Sequence, residues 1–172
     1  MIAIPTLETE RLILRPPMEA DFEHEAEFYQ SDRATFVGGP MAPELVWRTM
    51  ATLVGHWAFR GFGMFGVEEK ATGAYCGHVG PWFPHGWPEP EIGWTIMGHA
   101  EGRGIAREAA ARARQFAYED LGWTTAISLI DPRNVRSIAL AERLGAFDEA
   151  LFEHAQFGSM RIFRHPGPEA IA

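Results

Sequence analysis

Apolar residues in this chain recur at two spacings, and the switches between them predict the order of its elements. Leu12-Ile13-Leu14 is a short apolar run closed by Arg15 and Pro16-Pro17, the pattern of a first strand. Asp21 is placed to cap a helix in which Phe22, Ala26 and Tyr29 recur at helical spacing, and Gly38-Gly39-Pro40 breaks it. Pro43 opens a second helix through about Ala58, with Val46, Met50, Leu53, Val54 and Trp57 on one face, and Gly61-Phe62-Gly63 ends it. Strands are predicted over Met64 to Glu69 and Tyr75 to Trp82, joined by the turn residues Lys70-Ala71-Thr72-Gly73. After an aromatic, proline-rich loop, Glu91 to Met97 reads as a fourth strand. Strand alternation puts Glu91, Gly93 and Thr95 on one of its faces and Ile92, Trp94 and Ile96 on the other.

The alanine-rich run from Arg107 to Tyr118 is the strongest helix in the chain, and Gly122 marks its end. Ala126 to Ile130 is a short buried strand, and Asn134 to Leu144 is a further helix stopped by Gly145. Two weaker strands follow, near Leu151 and from Met160 to Phe163, and the tail from His165 is expected to fray. The order β-α-α-β-β-β-α-β-α-β-β implies a mixed α/β (α+β) fold, a sheet of six to seven strands covered by about four helices. No stretch is long and polar enough to serve as a linker, so residues 1–172 are expected to form one domain with a core over about 7–164.

Composition changes this picture mainly by exclusion. The 172 residues include 15 basic and 23 acidic ones, a formal charge of −8, so nucleic acid is not an expected partner. No run reaches the roughly 20 apolar residues of a membrane span, and the first residues lack a signal-peptide pattern, which points to a cytoplasmic protein. The single cysteine, Cys76, rules out an intrachain disulfide and reads as a small buried residue. The seven histidines form no metal-binding spacing, so no metal is expected.

Candidate chemistry concentrates at Glu101-Gly102-Arg103-Gly104-Ile105-Ala106, where a strand turns into a helix. Glycines there let backbone approach a ligand closely, and the unpaired N–H groups of the new helix suit a phosphate or pyrophosphate. Arg103 and Arg107 add positive charge. The plainer alternative is a tight turn with no ligand. A Walker-type loop is excluded by the lack of Gly-Lys-Ser/Thr, and the dinucleotide fingerprint by its glycine spacing.

These residues, with Asn134-Val135-Arg136-Ser137-Ile138-Ala139-Leu140, Gly145-Ala146-Phe147 and the opening Leu7-Glu8-Thr9-Glu10-Arg11-Leu12, resemble the GCN5-related N-acetyltransferases. The branch they look most like contains the ribosomal-protein alanine N-acetyltransferases. The resemblance spans about residues 7–164 and implies a mostly antiparallel twisted sheet splayed between its fourth and fifth predicted strands. It implies acetyl-CoA as acetyl donor, with pyrophosphate on the N–H groups of Gly102, Arg103, Gly104, Ile105, Ala106 and Arg107. It also places pantetheine beside Trp94, Thr95, Ile96, Asn134 and Ser137. Glu101 departs from the Gln or Arg of the family pattern, with Arg103 and Arg107 as compensation. Ala141 stands where many members carry a tyrosine acid, which leaves Ser137 as the donor to the leaving thiolate. A non-catalytic acyl-CoA-binding or interaction module on the same fold is the alternative, and a homodimer through exposed strands fits either reading.

The acceptor amine must lose a proton. A peptide N-terminus has a pKa near ~7.8 and a lysine near ~10.4, a gap of about 3.5 kcal/mol, so an N-terminal acceptor needs only a weak base. Glu91, on the strand leading to the glycine turn, is the first candidate, against the plain reading of a solvated strand-end carboxylate. Glu89 and His78 are rivals, and a water is a fourth option. Protein N-termini and small-molecule amines both remain open as acceptors.

Overall fold

The computed structural model describes residues 3–171. In chain order they form β1 (Leu7–Glu8), β2 (Leu12–Arg15), α1 (Phe22–Gln30), α2 (Pro43–Arg60), β3 (Phe65–Glu69), β4 (Tyr75–Trp82), β5 (Glu91–Ile96), α3 (Ile105–Glu119), β6 (Ile127–Ile130), α4 (Val135–Arg143), β7 (Phe147–His154) and β8 (Gly158–Arg164). The strands make one sheet in the order β1-β2-β3-β4-β5-β6-β8-β7. Every neighbouring pair is antiparallel except β5 and β6. The four α-helices match the expected number, but the sheet has eight strands rather than six or seven. The additional strand, β1, is only two residues long, too short to show a period.

On one face α3 lies along the sheet. Its buried Ile105, Ala109, Ala110, Ala113 and Phe116 share a core with Leu12, Leu14, Phe65, Val67, Val79 and Ile92. The alanines bring the helix close to the sheet at little side-chain entropy cost. On the other face Phe28, Tyr29 and Val46, from α1 and α2, pack with Tyr75 and Met97. Cys76 is fully buried on the α3 side.

Two expectations about polar residues are corrected. Asp21 does not cap α1 with its side chain. Its buried carboxylate instead accepts from both Nη atoms of Arg15 and from the Met18 N–H, tying the helix entrance to β2. The tail does not fray at His165, which is 2% exposed. His165 Nδ1 lies 3.0 Å from Arg114 Nη1, which can only donate, so the ring proton sits on Nε2 and points to Ser128 Oγ at 2.9 Å. Ser128 in turn donates to Ile92 O at 2.7 Å, joining β6 to β5. Burial and the neighbouring Arg114 push the His165 pKa down to about 3, so the ring stays neutral.

The register of β4 on β5 sets the site. His78 pairs with Thr95, Gly80 with Gly93 and Trp82 with Glu91. Gly77 sits at a bulge where β4 skips a residue against β3, with φ +129°. A side chain there would place Cβ 2.0 Å from the Thr95 carbonyl oxygen, so only glycine allows the two strands to lie this close.

Candidate active site

β5 and β6 are registered only through Glu91 and Ile127, and beyond that point they part. β5 turns its odd-numbered residues toward β4, as the bond from Met97 N–H to Cys76 O continues, and Ile92 O faces β6. Alternation therefore aims the backbone groups of Trp94 and Ile96 into the opening between the strands. A cavity of about 290 Å³ borders this opening, lined among others by His78, Glu91, Trp94, Thr95, Asn134 and Ser137. Asn134 caps α4 through Oδ1, which accepts the Ser137 N–H at 3.2 Å, and Trp94 Nε1 donates to Ser137 Oγ at 3.2 Å. One helix cap thus holds the hydroxyl beside the opening. Of the residues expected to hold the donor, Ile96 and the turn from Gly102 to Arg107 do not line this cavity. The Ile96 side chain belongs to the α3-side core, and Ile96 can reach the opening only through backbone.

Glu91 is not a solvated strand-end residue. It is 7% exposed, and its two oxygens accept from Trp87 Nε1 at 2.8 Å and from the Leu129 N–H at 2.9 Å. Burial pushes its pKa up to about 7 against the opposing pull of those two donors, which places it where a carboxylate exchanges protons near neutrality. Glu89 differs. Arg164 clamps both of its oxygens, at 2.6 and 2.8 Å, and that hydrogen-bonded pairing holds its pKa below the usual carboxylate range. It is a poorer base and lies outside the cavity lining. His78 does line the cavity, and its Nδ1 lies 2.9 Å from Glu25 Oε1.

Past β5 the chain passes through a short 3-10 turn, Gly98–Ala100, to Glu101 and the two glycines. Gly102 and Gly104 have φ of +70° and +77°. The first bond of α3 runs from Glu108 N–H to Gly104 O, so the N–H groups of Ile105, Ala106 and Arg107 precede the ladder, and no side chain caps them. The charges around this turn differ from those anticipated. Glu101 is paired with Arg33 and with Arg136, the latter at 3.1 Å. Arg103 is paired with Glu69. Arg107 is exposed and makes no side-chain hydrogen bond among the described residues. The carboxylate at 101 is therefore neutralised by arginines that no local pattern singled out.

A family model for the acetyltransferase (GNAT) domain matches residues 11–146. The chain belongs to the GNAT acetyltransferase family. It is similar to an acetyltransferase structure from Agrobacterium tumefaciens, with 36% identity, a TM-score of 0.87 and 96% of each chain covered. It shares the fold of RimL, a ribosomal L7/L12 α-N-protein acetyltransferase solved in complex with coenzyme A. That likeness has a TM-score of 0.75 at 14% identity, over 94% of this chain and 97% of RimL. Among curated proteins, the uncharacterised YkkB of Bacillus subtilis is 31% identical over 87 residues, which take in 49% of this chain and 51% of YkkB. The match thus spans about half of that relative's length.

Among the described residues no group of three or more His, Cys, Asp or Glu converges to hold a metal, and no helix is long and apolar enough to cross a membrane. Beyond Arg33 and Arg136, sequence reasoning missed Glu25. It sits between the apolar positions Phe22, Ala26 and Tyr29, and a carboxylate beside an apolar stripe was its only signal.

Proposed function

We propose that this protein transfers an acetyl group directly from acetyl-CoA to a primary amine. The observation that carries the reading is the opening between β5 and β6, with uncapped helix N–H groups at one end and a buried carboxyl of pKa about 7 at the other. The N–H groups of Ile105, Ala106 and Arg107, with the Arg107 guanidinium, suit the pyrophosphate. Backbone groups of Trp94 and Ile96 and the Asn134 side chain suit the amides of the pantetheine arm. RimL's coenzyme A complex supports the same choice of donor.

The chemistry then follows from the residues present. Glu91 takes a proton from the acceptor ammonium or amine. The amine nitrogen attacks the thioester carbonyl, a C–N bond forms and the C–S bond breaks. The CoA sulfur leaves as thiolate and is protonated through Ser137 Oγ, which passes on the proton that the nitrogen sheds as the amide forms and so ends as a hydroxyl again. Preorganised donors near the developing oxyanion lower the barrier without reorganisation at the moment of reaction.

A thermal shift tests the donor site. At 100 times Kd a ligand adds about 2.7 kcal/mol, which for a domain of this size is roughly 5–10 °C. Acetyl-CoA and CoA should raise Tm and ATP should not. In Gly104→Val the shift should disappear, since a β-branched side chain at φ +77° is strained and blocks approach to the backbone. No shift in cooperatively melting wild type would refute the reading. A shift without thiol release on any amine would leave an acyl-CoA-binding module. Ser137→Ala should lower kcat by about 10- to 100-fold, the worth of one hydrogen bond to a charged group, with acetyl-CoA Kd nearly unchanged. Wild-type kcat in this variant would remove the acid role.

A further inference from the structure

We infer that the acceptor is a small primary amine on an apolar, ring-sized body with a hydrogen-bonding group at its far end, rather than a protein N-terminus or a polyamine. The inference rests on the acetyltransferase reading and concerns the acceptor side of the same cavity. At about 290 Å³ the cavity lies at the lower end of small-molecule pockets, roughly 300–1,000 Å³. Its acceptor-side wall is built by Tyr29, Val37, Leu53, Met64, Trp82 and Phe157, contributed by six separate elements and turns. Such a wall removes water from an apolar body; Thr49 and Gln156 add polar groups to the lining, but no carboxylate besides Glu91 is present for a second ammonium group.

The charged groups are few. Glu91 and His78 are the only titratable acid and base lining the cavity among the described residues, apart from the Tyr29 phenol. A polyamine would place at least one further ammonium against apolar side chains with no carboxylate to meet it. A protein N-terminus needs room for the residues behind it, and at the outer wall the loop before β5 meets the β7–β8 hairpin, with Trp87 packed edge-on against His154 at 4.9 Å and against Phe157 at 6.0 Å between ring centroids.

The far end of the cavity is the informative part. His78, Gly80 and Trp82 of β4 stand opposite Thr95, Gly93 and Glu91 of β5, so His78 and Glu91 share one face. They are four residues apart along the register, about 13 Å at ~3.3 Å per residue. Between them both strands carry glycine: over Gly93 lies the flexible Met64 side chain, its Cε 2.5 Å from where a Cβ would be, while Gly80 is covered by backbone, with Gly63 O 2.7 Å from where its Cβ would be. Glu25 of α1, itself 1% exposed, holds His78 Nδ1 and also accepts the Tyr75 hydroxyl. The buried site opposes charge on Glu25, but His78, the Tyr75 hydroxyl and His24 outweigh burial and keep its carboxyl below the usual range. The imidazole is thereby oriented with Nε2, which makes no hydrogen bond among the described residues, available to the cavity. With Nδ1 donating to the Glu25 carboxylate, Nε2 accepts, and a hydroxyl on the distal side of an aromatic amine would meet it there, with the amine at Glu91.

The test uses the full chain, acetyl-CoA and four acceptors: phenethylamine, its para-hydroxylated analogue, spermidine and a peptide with a free N-terminal alanine. Thiol release is followed, with the acetyl-CoA thermal shift recorded in parallel. The expected result is kcat/KM for both aromatic amines at least 100-fold above the peptide and spermidine, and about 10-fold higher for the hydroxylated amine than for the plain one. Val37→Trp, which fills the wall away from the reacting atoms, should raise KM for the aromatic amines at least 10-fold and leave the acetyl-CoA shift in place. Peptide or spermidine turned over as fast as the aromatic amines would overturn the inference. So would an acetyl-CoA shift with every amine silent, which leaves the donor reading standing. Loss of the acetyl-CoA shift itself in wild type would remove both together.

Discussion

Glu91→Gln should lower kcat/KM for the amine by about 10²–10⁴, the usual contribution of a positioned general base. The glutamine keeps the shape of the side chain and one acceptor for Trp87 or Leu129, so the loss reports proton transfer more than geometry. The pH profile separates the two. A base works only when ionised, so wild-type activity should rise with pH through a limb centred near 7, the value to which burial pushes this carboxyl. In the variant that limb should vanish and only the acceptor's own ionisation should remain. A limb unchanged in Glu91→Gln would assign the base elsewhere, with His78 next. Stability supplies an independent readout. A carboxyl whose folded pKa lies above its ordinary 4.5 favours the fold fully below that value, and the contribution is lost as pH rises through about 7. The Tm of Glu91→Gln relative to wild type should therefore climb between pH 5 and pH 8, by the equivalent of up to about 3 kcal/mol.

The second large effect belongs to the framework. Gly77→Ala puts a methyl group 2.0 Å from the Thr95 carbonyl oxygen, at a φ of +129° that side chains rarely adopt. The contact is with backbone of the paired strand, so no side chain can move aside. Strain of about 1–3 kcal/mol adds to an overpacking cost of similar size. The variant should lose roughly 3–5 kcal/mol, or about 10–15 °C of Tm in a domain this size. The same shift moves Thr95 and His78 apart, so residual folded protein should have weaker amine turnover than acetyl-CoA binding. A Tm within 2–3 °C of wild type would show that β4 and β5 are not held this closely in solution.

Particular elements show where sequence reading stops. The alanine run of α3 and the face of α2 were legible because helical period is a local property of backbone geometry. Even so, α2 runs two residues beyond its expected end to Arg60, closed by Gly61 at φ +75°. The glycine turn before α3 was legible because positive φ selects glycine. Its electrostatics were not. Arg33 lies 68 residues before Glu101 and Arg136 lies 35 after it, and only the folded chain brings both guanidinium groups to that carboxylate. The partnership of His78 with Glu25 crosses from β4 to α1 in the same way.

By itself, the sequence determined the order of the elements apart from β1 and the face of β5 that carries Glu91, Gly93 and Thr95. Those depend on spacings of two to four residues. Tertiary structure alone decided the protonation behaviour of Glu91, the neutralisation of Glu101 and Arg103, and the anchoring of His165. Each depends on desolvation or on an oppositely charged partner, and those are supplied by segments far away in the chain.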